Sequence, residues 1–301
     1  MREGETDMTR IATPLRWAAG LAVCSAVALI ASTAAAQAPR GGLSQAQIDE
    51  LASKHDGFYG ALAPQNLRKP RPKPPFDLTG TWFIDLRKSF ADFMFGPNYP
   101  QFEAPGQQAM KDSATAAKAG MPYRDSIGEC YPAGMPMIMT RVWPINMVQL
   151  PTAVFMMFGF TNSLRTIYLD GRSFSDPNLV VYSYNGESIG HWEGKTLVVH
   201  TKYLEPNQHF IDMGLPISDQ FELTEKIQLL DKGHSLQIDY TMTDPKMWKG
   251  EWHSMKRWIR QDHSDVFEVE CLPNLNQHLP STVEGQAAMK ARAADAAGTK
   301  P

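Results

Sequence analysis

The sequence lacks most of the signatures from which a catalytic fold is read by residues alone. It has no Gly-rich phosphate loop, no G-x-S-x-G elbow, no H-E-x-x-H helix and no four-cysteine zinc pattern. Nucleotide-dependent, serine-hydrolase and zincin chemistry are therefore not expected, and no cofactor is called for. An excess of charge of one sign is missing too: 29 Lys+Arg against 32 Asp+Glu give a net charge of -3, which offers no electrostatic reason to bind nucleic acid. Cysteine is scarce, with three in 301 residues. The apolar run from Trp17 to Ile30 is too short for a comfortable membrane span.

That run suits a secretory leader instead. Met8 is a plausible start, Arg10 and Arg16 supply the positive flank, and Ala34-Ala35-Ala36 supplies small residues before a cleavage at Gln37. Val23 before Cys24 is too bulky for lipoprotein processing. The expected protein is exported, periplasmic or secreted, with a signal peptide over 1–36. Two cysteines then remain, Cys130 and Cys271, each in a Glu-Cys-x-Pro setting. In an oxidising compartment two cysteines often pair. Such a bridge would close a long loop, worth roughly 4–5 kcal/mol in the chain-entropy model. Two buried thiols are the alternative.

What is present is a β-rich chain punctuated by 22 glycines and 22 prolines. Residues 37–75 read as an arm, with a short helix near 45–54 after the Ser44/Gln47 capping pattern, then the basic polyproline spacer Arg68 to Pro75. A barrel domain is expected over 76–279 and a frayed, partly helical tail over 280–301. Strands are expected at 77–86, in two pieces across 147–160 broken at Pro151, and at 164–169, 179–184, 196–203, 221–230, 235–242, 251–259 and 266–271. A helix is expected at 104–119. The turns Asp170-Gly171, Glu193-Gly194-Lys195 and Asp231-Lys232-Gly233 separate these runs. Nine or ten strands joined mostly by short turns predict an all-β, antiparallel up-and-down barrel, since closure removes the sheet edges.

Gly80-Thr81-Trp82 at the head of the first strand resembles the Gly-x-Trp signature of lipocalin-like (calycin) barrels. That resemblance implies a Trp packed beneath a basic residue of the last barrel strand, with Lys256, Arg257 and Arg260 as candidates. Four further stretches resemble a family of exported bacterial proteins of unknown function. They are Asp170-Gly171-Arg172, the run from Ser188 to Val199, the spaced set Asp212, Gly214, Pro216 and Ser218, and Thr243-Asp244-Pro245. The likeness covers roughly 77–275 and implies kinship without an activity. Members carry a carboxylate near Gly159 and a histidine at Ile217, which this chain lacks.

Strand alternation picks out the candidate site. Glu225 is the one charge on the face Phe221, Leu223, Ile227, Leu229, and Arg165 sits likewise with Ile167 and Leu169. Arg257 shares a face with Met255 and Ile259, and His200 falls on the Val198 face. Glu225 and Arg165 or Arg257 read either as a buried structural pair or as an acid/base and anchor in a barrel lumen. Tyr184, Trp192 and Tyr203 could line a ligand mouth, with Asp212 and Arg257 as polar contacts. In an extended chain Met135, Met137 and Met139 would fall on one side, within reach of a soft ion such as Cu(I); filling apolar gaps is the plainer role. His200, His209 and Asp212 form only a loose set for zinc.

Three functions follow as expectations. The first is a barrel taking an apolar small molecule, acting on it as a lyase, isomerase or hydratase with Glu225 and His200 moving protons and Arg165 holding an oxyanion. The second is a non-catalytic carrier, and the third a copper-handling protein built on the methionine run.

Overall fold

The computed structural model describes residues 44, 46, 59–87, 95–96, 98–119, 127, 130–212, 214–269 and 271. The chain divides at Ala52/Ser53 into two units, and all but Ser44 and Ala46 of the described residues belong to the second. Of the expected helix at 45–54 only Ala46 is described, and it is helical; the C-terminal tail lies outside the described residues.

Among the described residues, alternating apolar residues and well-placed turns build eleven strands: β1 Gly80–Ile84, β2 Ile145–Gln149, β3 Ala153–Phe158, β4 Leu164–Tyr168, β5 Glu187–Glu193, β6 Thr196–Lys202, β7 Phe210–Asp212, β8 Leu215–Pro216, β9 Glu222–Leu230, β10 Ser235–Thr243 and β11 Trp252–Gln261. Two α-helices lie wholly among the described residues, α1 Pro64–Leu67 and α2 Ala104–Lys118, the latter where the alanine-rich run places it. Nine strands close a barrel in the order β1-β11-β10-β9-β6-β5-β4-β3-β2, while β7 and β8 form a separate small ribbon. Turn residues set the registers. Gly194 (φ 59°) turns β5 into β6, and Asp231, Lys232 and Gly233, all at positive φ, turn β9 into β10. Among the described residues no helix is long and apolar enough to cross a membrane.

The expected up-and-down meander is broken once. Every antiparallel contact reverses direction, and a closed ring must contain an even number of reversals. Nine strands therefore need a parallel neighbour, and it falls between β4 and β5, which pair only at Ile167↔Ser188 and Tyr168↔Ile189. The connection between them runs through 169–186. The strand expected at 179–184 is absent there: Leu179 and Val181 are exposed and only Ser183 makes an isolated bridge, to Leu204. The segment 262–269, expected to begin a strand at 266, is irregular as well. β-Propensity alone placed both, and neither forms a ladder with a neighbouring strand.

The Gly-x-Trp expectation resolves onto Arg260. Its guanidinium lies 4.3 Å over the Trp82 ring, donates to Thr79 O at 2.6 Å and to Gly233 O at 2.8 Å, and Trp82 Nε1 donates to Leu78 O. A Cβ on Gly80 would meet Arg260 Nη1 at 2.3 Å and push that guanidinium aside, and the Gly80 φ of +147° is one that L side chains rarely adopt. Cys130 and Cys271 form a disulfide, Cα–Cα 5.5 Å, across 141 residues.

Candidate functional site

The barrel interior carries a continuous apolar core. Trp82, Met147, Met156, Ile167, Leu197, Val199, Leu223, Ile227, Ile238, Tyr240, Trp252 and Trp258 belong to one buried core cluster. Into this core β9 sends Glu225 and β4 sends Arg165, both essentially without solvent exposure. The two groups form a bidentate pair: Arg165 Nη1 donates to Glu225 Oε1 at 3.0 Å and Nη2 donates to Oε2. Arg165 also donates to Ser188 Oγ (3.1 Å) and Thr201 Oγ1 (3.0 Å). Ser188 and Thr201 lie opposite each other on β5 and β6, 2.9 Å between hydroxyls. A buried charge pair persists only when its remaining donors and acceptors are met, and here four strands meet them. The cluster therefore ties β4, β5, β6 and β9 together across the two-pair β4–β5 contact. Tyr240 stands opposite Glu225 on β10, with its hydroxyl unpartnered. Burial, and then the Glu225 charge, push that phenol well above its ordinary pKa.

His200 is not part of this cluster. The run Leu197-Val198-Val199 is apolar at both parities, so the sequence does not decide which face looks in. The register does: Val199 lies opposite Glu225, which turns Leu197, Val199 and Thr201 inward and His200 out. His200 Nδ1 meets Thr224 Oγ1 at 3.1 Å on the outer wall. Arg257 is outside for a similar reason. Trp252, Lys256 and Trp258 take the inner face of β11, leaving Met255 and Arg257 exposed, with Arg257 donating to Gln237 Oε1. The two tryptophans outweigh Met255 and Ile259 in setting the phase.

The three expected mouth aromatics separate. Trp192 lies at the tip of the β5–β6 hairpin, whereas Tyr203 follows the far end of β6, roughly 20 Å along the strand. Tyr203 donates to Ser175 O and packs edge-on to Phe174 and Tyr182. Tyr184 donates to Asn207 O and packs on His209. The side chain of Asp212 lies outside the described residues. Met135, Met137 and Met139 are buried, but Met137–Thr140 is a 3₁₀ turn, so the extended run that would gather three sulfurs is absent.

Around Trp192 lies a second region. The arm 59–76 docks on the barrel end through Asp170-Gly171-Arg172, which serves here as an anchor rather than a hairpin turn. Asn66 is buried and donates to Asp170 Oδ2 (2.8 Å), Tyr59 O and Gly60 O. Arg172 pairs with Asp170 at 2.7 Å and stacks 3.7 Å over Tyr168, and Thr152 Oγ1 donates to Ala61 O. Burial pushes the Asp170 carboxyl up, yet hydrogen bonds from Arg172 and Asn66 outweigh it and hold the pKa below its usual value. Between the proline strap and the barrel is a cleft of about 610 Å³, bordered by Pro72, Pro74, Leu150, Leu169, His191 and Trp192. Phe76 sets Trp192 in place by an edge-on contact at 4.8 Å.

Two further buried polar groups lie away from the Arg165–Glu225 cluster. His209 is fully buried in a loop without period; Nδ1 donates to Glu205 O at 2.9 Å, which leaves the lone pair on Nε2, and Nε2 makes no hydrogen bond. Burial lowers its pKa to about 4. Asp244 accepts from Ser218 N and Oγ, so two stretches of the family resemblance form one loop tie. Burial raises its carboxyl despite those bonds.

No protein-family model matches the chain, and no curated protein matches it. Among solved structures it is similar to the crystal structure of a secretary abundant heat soluble (SAHS) protein from Ramazzottius varieornatus, at 10% identity and a TM-score of 0.29 over 61% of this chain and 95% of that one. A likeness of that size carries no argument about what this chain does.

Proposed function

We propose that the chain is an exported, lipocalin-like barrel protein that binds a small amphipathic molecule in the cleft beneath its proline strap, without transforming it. The cleft carries this reading. Its volume, about 610 Å³, falls within the roughly 300–1,000 Å³ of small-molecule sites. Its wall pairs apolar surface from Leu150, Leu169 and two prolines with an indole held edge-on by Phe76. The disulfide suits an oxidising compartment. The lyase or isomerase reading finds less support. Its base, Glu225, has both oxygens on Arg165, and its second proton carrier, His200, is on the other side of the wall.

Titration of the mature protein with the amphipathic fluorophore 1-anilinonaphthalene-8-sulfonate, followed by competition with long-chain acids and alcohols, tests the proposal. Trp192→Ala and Leu150→Asn are expected to weaken binding by about tenfold or more, equivalent to about 1.4 kcal/mol. Equal affinity in wild type and both variants would remove the cleft as the site. Turnover of any bound compound that disappears in Glu225→Gln, with the fold intact by circular dichroism, would favour the lumen instead.

A further inference from the structure

We infer that His191 and His200, with Glu193, form a site for a borderline divalent cation such as Cu(II), Ni(II) or Zn(II) on the outer wall of the barrel. The β5–β6 register makes the two histidines neighbours. His191 lies opposite Val198 and His200 opposite Ile189, so their side chains meet diagonally on the same outward face. Their rings are nearly parallel, 12° apart in plane with centroids 6.0 Å apart. Both are reached by solvent; the His191 side chain is 53% exposed.

Each ring is already oriented by one hydrogen bond. His191 Nε2 meets Glu193 Oε1 at 2.9 Å, and His200 Nδ1 meets Thr224 Oγ1 at 3.1 Å. With Nδ1 of His200 donating to the threonine, the lone pair sits on Nε2 at the tip of the ring, which is how an outer hydrogen bond prepares a ligating imidazole. A cation can take the place of the proton shared by His191 and Glu193. Two imidazoles and a carboxylate suit zinc, copper and nickel rather than calcium or magnesium. Among the described residues no three His, Cys, Asp or Glu side chains already form a metal cage. The rings must therefore swing together until two nitrogens lie roughly 3.4 Å apart, the separation set by bonds of about 2.1 Å to one tetrahedral metal. Water completes the shell.

The test is calorimetric titration of the mature protein with Cu(II) and Ni(II) in a non-coordinating buffer at pH 7, with electron paramagnetic resonance of the copper form. Binding near one ion per chain is expected, with a spectrum showing nitrogen ligands. His200→Ala and His191→Ala should each weaken it by about tenfold or more, and Glu193→Gln by less. All three side chains are exposed, so melting temperatures should be unchanged. Trp192→Ala should leave metal uptake intact, which separates this site from the cleft beside it. A double variant H191A/H200A that binds copper as wild type does, or a wild type that binds neither ion, would overturn the inference.

Discussion

The barrel interior and the strap end treat charge in opposite ways. Inside, Arg165 and Glu225 are sealed, bonded to each other and to two hydroxyls on neighbouring strands. At the strap end, polar groups do the docking, through Asn66, Asp170 and Arg172, and leave an open space between the arm and the wall. The difference teaches where each kind of polar residue can work. A charge wholly engaged by its surroundings holds strands together. A charge spent on fixing a loop leaves apolar surface beside it free to meet another molecule.

The sharpest way to break this contrast is to remove one partner of the sealed pair. Arg165→Met or Glu225→Gln should cost about 3–5 kcal/mol, because an uncompensated buried charge remains. Urea unfolding measures it. Replacing both together with apolar residues should recover most of the loss. Retention of full stability in either single variant would show that the pair does not hold the wall.

Acid titration comes next. His209 is held neutral in the fold, with its pKa lowered from 6.5 to about 4. Between those values the unfolded chain takes up a proton that the folded chain refuses. The stability from this residue is complete above pH 6.5 and falls as the pH drops toward 4, by about 3 kcal/mol. His209→Gln should flatten the corresponding slope in denaturant midpoints measured from pH 7 to pH 4.5.

At the strap end the effects are smaller. Asp170→Asn takes the charge from the Arg172 contact and should cost about 1–3 kcal/mol. It should also speed tryptic cleavage after Arg68, the one basic residue of the strap not followed by proline, and weaken fluorophore binding in the cleft. The smallest effect belongs to the outer wall: Arg257→Ala should lie within about 0.5 kcal/mol of wild type. A large loss there would mean that the outer face is itself covered.

Much of the barrel was legible because period-two alternation and glycine turns leave a strong trace. Phe221 to Leu230, the turn at Asp231-Lys232-Gly233 and Ser235 to Met242 fold as read, and Glu225 stood out as a charge among apolar neighbours. Parity was legible only where one face was clearly polar. Leu197-Val198-Val199 offers both phases, so the side taken by His200 depends on a register with β9 that no local pattern encodes. The anchor at Asp170-Gly171-Arg172 looked like a hairpin turn because its true partners, Asn66 and Tyr59, lie more than a hundred residues earlier. The Arg165–Glu225 contact itself spans 60 residues and four strands. His209 stood out only as a member of a loose zinc set with His200 and Asp212; its burial did not, since a single histidine in a loop has no period to betray it.

An odd-membered ring has one consequence for how the molecule breathes. Between Tyr168 and Ile189 the wall is joined by two residue pairs, against nine between β9 and β10. Amide hydrogens beside that narrow join should exchange with solvent through small local openings, well before those of the β9–β10 ladder. Loosening the guanidinium stitch behind it should widen the gap in timing further.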